Sequence, residues 1–102
     1  MIKLPPRCEI EVLMKIYEMN EMWGVAKSTD ICNEFSEQKA RTTTLTLLTR
    51  LEKRGFINTD RTQKASTYTP VYSKKELQQM AVDDLKRLYF NNSEEEMLKF
   101  IK

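Results

Sequence analysis

Apolar positions recur along this chain with mostly helical spacing. Ile10, Leu13, Met14 and Tyr17 fall three and four apart, and Val12 and Ile16 widen the stripe, which predicts a buried first helix over residues 7 to 20. Gly24 punctuates the turn that follows. Ser28 or Thr29 is the candidate cap of a short second helix, whose apolar members Ile31, Cys32 and Phe35 end before the polar run Ser36-Glu37-Gln38-Lys39. A third helix is expected from Arg41 or Thr42, with Thr44, Leu47, Leu48 and Leu51 on one face, and Gly55 suits the left-handed residue that closes it. The threonines at 42, 43, 44 and 46 favour a strand by propensity, but Leu47, Leu48 and Leu51 keep helical spacing and decide for a helix.

Beyond Gly55 the period shortens. Phe56-Ile57-Asn58-Thr59-Asp60 and Ser66-Thr67-Tyr68-Thr69-Pro70-Val71-Tyr72, separated by the polar stretch Arg61 to Ala65, read as a β-hairpin with a basic loop. Pro70 has no N–H to give a ladder, so its strand is expected to lie at an edge there or to end nearby. Ser73-Lys74-Lys75-Glu76 is a capping-box pattern opening a fourth helix with Leu77, Met80, Ala81, Leu85 and Leu88 as its stripe. Asn91-Asn92-Ser93 breaks it, and Ser93-Glu94-Glu95-Glu96 opens a last helix bearing Met97, Leu98 and Ile101 on one face with Phe100 beside it. The predicted class is mainly α with a small β-hairpin: a winged helix-turn-helix over residues 1 to 72, followed by C-terminal dimerisation helices over residues 73 to 102.

At 102 residues, 40% of them hydrophobic and 31% charged, the chain suits one folded unit with an appendage. No run approaches the roughly 18 apolar residues of a membrane span, and the first residues lack a signal peptide's apolar run, so a cytoplasmic location is expected. Cys8 and Cys32 are too few for a disulfide framework, and with no histidine they cannot complete a four-ligand zinc site. Buried thiol packing is the expectation for both, and no cofactor or metal is implied.

Charge changes the picture once it is divided along the chain. Residues 1 to 37 hold four basic and seven acidic side chains, residues 38 to 64 seven and two, and residues 65 to 102 six of each. The positive excess therefore falls on the third helix and the hairpin loop, as a surface facing a polyanion requires. A helix of this width enters the major groove of duplex DNA. There Thr42, Thr43 and Thr46 offer hydroxyls to base edges or methyls to thymine, Arg41 and Arg50 reach phosphates, and Arg61 and Lys64 let the wing touch backbone or minor groove. Two plainer readings compete: Thr42 as the helix cap, and Arg50, Lys53 and Arg54 as partners of the helix dipole.

The run Thr42-Thr43-Thr44-Leu45-Thr46-Leu47-Leu48-Thr49-Arg50-Leu51, continued by Glu52-Lys53-Arg54-Gly55-Phe56-Ile57, resembles the recognition helix of the penicillinase-repressor family, which includes β-lactamase, methicillin-resistance and copper-responsive repressors. The likeness extends back to Glu9 through Tyr17 and forward to Tyr68-Thr69-Pro70 and Leu77. It implies a dimeric bacterial repressor on an inverted-repeat operator, with DNA contacts at Thr42, Thr43 and Thr46, wing contacts at Arg61 and Lys64, and dimerisation through the helices after the wing. Leu45 stands where the family usually has a basic residue, so a different operator or affinity is expected. The family's penicillin-responsive members are induced by a cut within the dimerisation helices. The matching stretch here, Leu98 to Ile101, is so near the end that a cut would release two or three residues, and this switch is not expected. Copper sensing through a C-terminal cysteine cluster is not expected either, since the tail has no cysteine.

Independently of family, two amphipathic helices appended to a complete small domain would leave Leu77, Met80, Ala81, Leu85, Leu88, Met97, Phe100 and Ile101 partly in water, and a second copy of the chain would cover them. The competing arrangement folds them back on their own domain. The alternative function is a winged-helix module that binds protein rather than DNA, for which Leu45 is the main support. Catalysis has little to stand on: there is no histidine, no phosphate-cradling glycine loop and no carboxylate pair set in an apolar pattern.

Overall fold

The computed structural model describes residues 3–101, which form five helices and three strands: α1 (Arg7–Trp23), β1 (Ala26–Lys27), α2 (Ser28–Glu34), α3 (Arg41–Lys53), β2 (Ile57–Asp60), β3 (Thr67–Pro70), α4 (Lys74–Tyr89) and α5 (Glu94–Ile101). They divide into one compact unit, Pro5–Tyr72, and a second made of residues 3–4 and 73–101.

In the first unit α1 packs on α3 and β3, and α2 packs on α3. The first helix runs three residues beyond its predicted end, through Glu21, Met22 and Trp23, until Gly24 adopts φ 73° and donates its N–H to Asn20 O. Its buried arc is Glu9, Val12, Leu13, Ile16, Tyr17 and Met19, whereas Met14, expected inside, is exposed at the margin of that arc. Two polar groups fasten α1 to the β3 strand and its continuation: Asn20 Nδ2 donates to Tyr68 O at 3.1 Å, and the Tyr17 hydroxyl donates to Tyr72 O at 2.7 Å. Val12, Leu13, Ile16, Ile31, Leu48, Leu51, Phe56 and Ile57 form the core. The Phe56 and Tyr72 rings meet at 5.5 Å in a tilted pair.

The expected hairpin is present, and a third strand joins it. β3 lies between β1 and β2, both antiparallel to it, with Ala26 opposite Tyr68 and Ile57 opposite Pro70. Pro70 is therefore in the central strand, tolerated because it is that strand's last residue and β1 pairs only with Thr67 and Tyr68. β1 also changes the start of α2. Neither Ser28 nor Thr29 is the cap: both lie inside the helix, Lys27 occupies the N-cap position without a side-chain cap bond, and the Ser28 N–H donates to Ser66 O at 2.9 Å. Thr42 is likewise inside α3 and not its cap: Ala40 precedes the helix, without a side-chain cap bond. Cys32 is buried, and desolvation raises its thiol pKa, opposed by the nearby Arg41 charge. Cys8, expected to be buried, is exposed, because it lies on the solvent side of the first turn of α1.

The second unit opens with the full capping box read from the sequence: the Ser73 hydroxyl accepts from the Glu76 N–H and the Glu76 carboxylate accepts from the Ser73 N–H, both at 3.1 Å. Asn91 and Asn92 take positive φ values of 50° and 64° and turn the chain into α5, where the Ser93 hydroxyl accepts the Glu96 N–H. Leu77 and Met97, expected to wait for a partner chain, are already buried within the single chain. Among the described residues no helix is long and apolar enough to cross a membrane.

Candidate nucleic-acid interface

The geometry of α3 follows from its buried face. Thr44, Leu47, Leu48 and Leu51 point into the core, and Thr44 does so with its hydroxyl left without a hydrogen-bond partner among the described residues. At about 100° per residue, the side directly opposite carries Thr42, Thr46, Thr49 and Lys53, all exposed. Thr43 and Arg50 form one shoulder of this surface, and Leu45 and Glu52 the other. Thr49 and Lys53 are additions to the expected contact residues, and their spacing of seven and eleven from Thr42 makes them legible in the sequence.

The threonines differ chemically. The Thr46 hydroxyl donates to Thr42 O at 2.9 Å, and the Thr49 hydroxyl donates to Leu45 O at 3.0 Å. Thr42 and Thr43 side chains make no hydrogen bond among the described residues. Leu45 is half-buried, partly at the edge of the core and partly at the surface.

Two anchors hold the helix in place. At its C-terminal end Arg54 Nε donates to Glu9 Oε1 at 2.8 Å, joining the helix to the first turn of α1; the Glu9 side chain is completely buried and its Oε2 has no hydrogen-bond partner among the described residues. Gly55 follows with φ 83° and its N–H donates to Glu52 O, so the chain leaves the helix through the left-handed residue the sequence announced. The second anchor is Glu52, which accepts from the Thr59 hydroxyl and from Arg61 Nη2 at 2.9 Å, fixing the shoulder of α3 to β2 and the base of the wing. Those two donors, Thr59 foremost, hold the Glu52 carboxyl below its ordinary pKa. Asp60 opens the wing by accepting the Thr62 hydroxyl and N–H, and its pKa is lowered for that reason.

The expected contact residues Arg41, Thr42, Thr43, Thr46, Arg50, Arg61 and Lys64 are all exposed. Arg61 is committed to Glu52 in the free protein, whereas Arg41, Arg50, Lys53 and Lys64 make no salt bridge among the described residues. Arg54, by contrast, has its charge turned toward Glu9.

This order of elements, with a polar face on the third helix and a basic hairpin behind it, is the layout of a winged helix-turn-helix regulator. The penicillinase-repressor family model matches residues 7–102. The chain belongs to the penicillinase repressor family. No curated protein matches it. As a member of that family it is a transcriptional repressor. The family match includes the second unit, where Leu85, Leu88, Phe100 and Ile101 are exposed, Ala81 is exposed and Met80 is half-buried. Leu85, Tyr89, Phe90, Phe100 and Ile101 line a shallow apolar depression of about 410 Å³, with the Phe90 and Phe100 rings 5.9 Å apart.

Proposed function

We propose that this repressor binds duplex DNA in a sequence-specific way as a homodimer on an inverted-repeat operator. Each α3 enters a major groove, with Thr42, Thr43 and Thr46 at base edges, Arg41 and Arg50 on phosphates, and Arg61 and Lys64 of the wing on the flanking backbone or minor groove. The observation that carries this reading is the outward face of α3: four polar side chains, opposite the core, beside cations that no carboxylate neutralises. Phosphates are natural partners for cations gathered on one basic face, because each phosphate neutralised releases counterions.

Dimerisation is assigned to the second unit. Phe100 is 81% exposed, Ile101 61%, Leu88 58% and Leu85 38%, large apolar side chains left in water by the single chain. A second copy of the same surface covers them with self-complementary contacts, the commonest oligomeric solution. Met80 and Ala81 belong to the same proposed interface, and Leu77 and Met97 support it from beneath. A cytoplasmic location goes with this role.

The test is titration of the purified protein into random and genomic duplex fragments at two salt concentrations, with its mass followed by sedimentation. Salt-sensitive binding of a dimer to a palindromic site is the expected result. Replacing Arg50 by alanine then weakens binding to all sequences alike and lowers the salt slope by about 0.9 for each phosphate no longer neutralised. Absence of binding at low salt rejects the reading in favour of a protein-binding winged helix, the role to which Leu45 lends itself.

A further inference from the structure

We propose that the second and third turns of α3 read thymine C5-methyl groups through an apolar strip formed by Leu45, Thr46 and Thr49, while Thr42 and Thr43 in the first turn supply the hydrogen bonds to base edges. This rests on α3 being the recognition helix, as proposed above.

The division follows from where the hydroxyl protons go. A threonine hydroxyl has one proton to donate. Thr46 gives its proton to Thr42 O and Thr49 gives its proton to Leu45 O, both within good hydrogen-bond distance. Neither can donate to a guanine, adenine or thymine acceptor without breaking that internal bond. Their methyl groups and one acceptor oxygen each are what remain for a ligand. Leu45 lies one residue before Thr46 and four before Thr49, so the three side chains adjoin on one side of the helix, and Leu45 adds an isobutyl group with no polar atom.

In the major groove only thymine presents a methyl group; cytosine presents an N4 donor, and guanine and adenine present acceptors or donors that an apolar strip would leave unpaired. The strip therefore favours thymine by contact with its methyl, the one apolar group a base edge offers there. Thr42 and Thr43, whose hydroxyls make no hydrogen bond among the described residues, retain donors for the neighbouring bases.

The experiment uses the full chain. Duplexes selected by the protein from a random pool are resynthesised with deoxyuridine in place of thymidine, which removes the methyl and leaves base pairing unchanged. Affinities are measured for the parent protein and for Thr46→Ser and Leu45→Ala. The serine keeps the hydroxyl and its backbone bond and lacks only the methyl, and the unfolding transition of each variant is followed to establish that it is folded.

The parent is expected to bind the deoxyuridine duplex about fourfold more weakly for each contacted methyl removed. Thr46→Ser and Leu45→Ala are expected to weaken binding to the thymidine duplex and to lose part of the discrimination. Equal affinity of the parent for both duplexes overturns the proposal. So does full discrimination in both variants, because the methyl would then act through duplex shape. Failure to bind either duplex at low salt removes the recognition-helix reading itself, a result distinct from salt-sensitive binding that ignores the methyl.

Discussion

Replacing Arg54 by alanine strands the carboxylate of Glu9 in the interior. Glu9 is 0% exposed, its Oε1 accepts from Arg54 Nε at 2.8 Å, and its Oε2 has no hydrogen-bond partner, so the guanidinium is the sole group compensating the buried charge among the described residues. Breaking a buried ion pair by removing one member typically costs about 3–5 kcal/mol. The Arg54 side chain is 41% exposed, so water reaches the vacated position and lowers the expected cost to about 2–3 kcal/mol. For a domain of this size each kcal/mol moves the melting temperature by about 4–8 °C, which predicts a fall of roughly 10–20 °C. Thermal and urea unfolding followed by far-ultraviolet circular dichroism measure it. The double variant Glu9→Leu with Arg54→Met, which removes charge and partner together, is expected to lie near the parent. An Arg54→Ala protein within about 0.5 kcal/mol of the parent would overturn this account, since the buried carboxylate would then be held by something other than its ion pair.

Three further expectations test other parts of the structure. Ser73→Ala removes the hydroxyl that accepts the Glu76 N–H in the α4 capping box and should cost about 1 kcal/mol, read by urea denaturation. Phe100→Ala and Leu88→Ala should each weaken the dimer by about 1.5–3 kcal/mol for every side chain that dimerisation fully buries, without unfolding the protomer; unchanged dimer dissociation in sedimentation would remove these residues from the interface. Glu52 has a depressed carboxyl pKa in the folded protein, so the junction between α3 and the wing is at full strength above the ordinary value of 4.5 and loosens as pH falls through the depressed one. Exchange protection at Thr59 and Arg61, measured against the unfolded-chain rate at each pH, should fall over that acid range in the parent, and Glu52→Gln should flatten the dependence.

The elements of α3 and of the α4 start were legible because their signals are local. The spacing of Thr44, Leu47, Leu48 and Leu51 identifies a buried face, Gly55 a left-handed exit, and Ser73 with Glu76 a reciprocal cap, each decided within one or two turns of chain. The candidate contacts on α3 were legible for the same reason, since a buried face fixes its opposite. β1 was not legible: two residues carry no alternation, and Ala26 and Lys27 become a strand only because Tyr68 and Thr67, far along the chain, present an open edge. Next to that strand the helix begins one residue earlier than a Ser28 cap would allow, with Lys27 at the N-cap and the Ser28 N–H donating to Ser66 O.

Local pattern thus sets which faces are apolar, where most helices begin and end, that the positive charge concentrates on residues 38 to 64, and which family the third helix resembles. Which of those charges stay free to meet a ligand is settled by folding alone. Arg54 and Arg61 look like their neighbours Arg50 and Lys53 in the sequence, yet the fold brings Glu9 to one and turns Glu52 toward the other. Folding also leaves Leu77 and Met97 covered within the chain and Leu88 and Phe100 uncovered. One cause underlies both outcomes. Periodicity fixes the direction of a side chain about its own helix, but burial and charge pairing depend on what another segment places there.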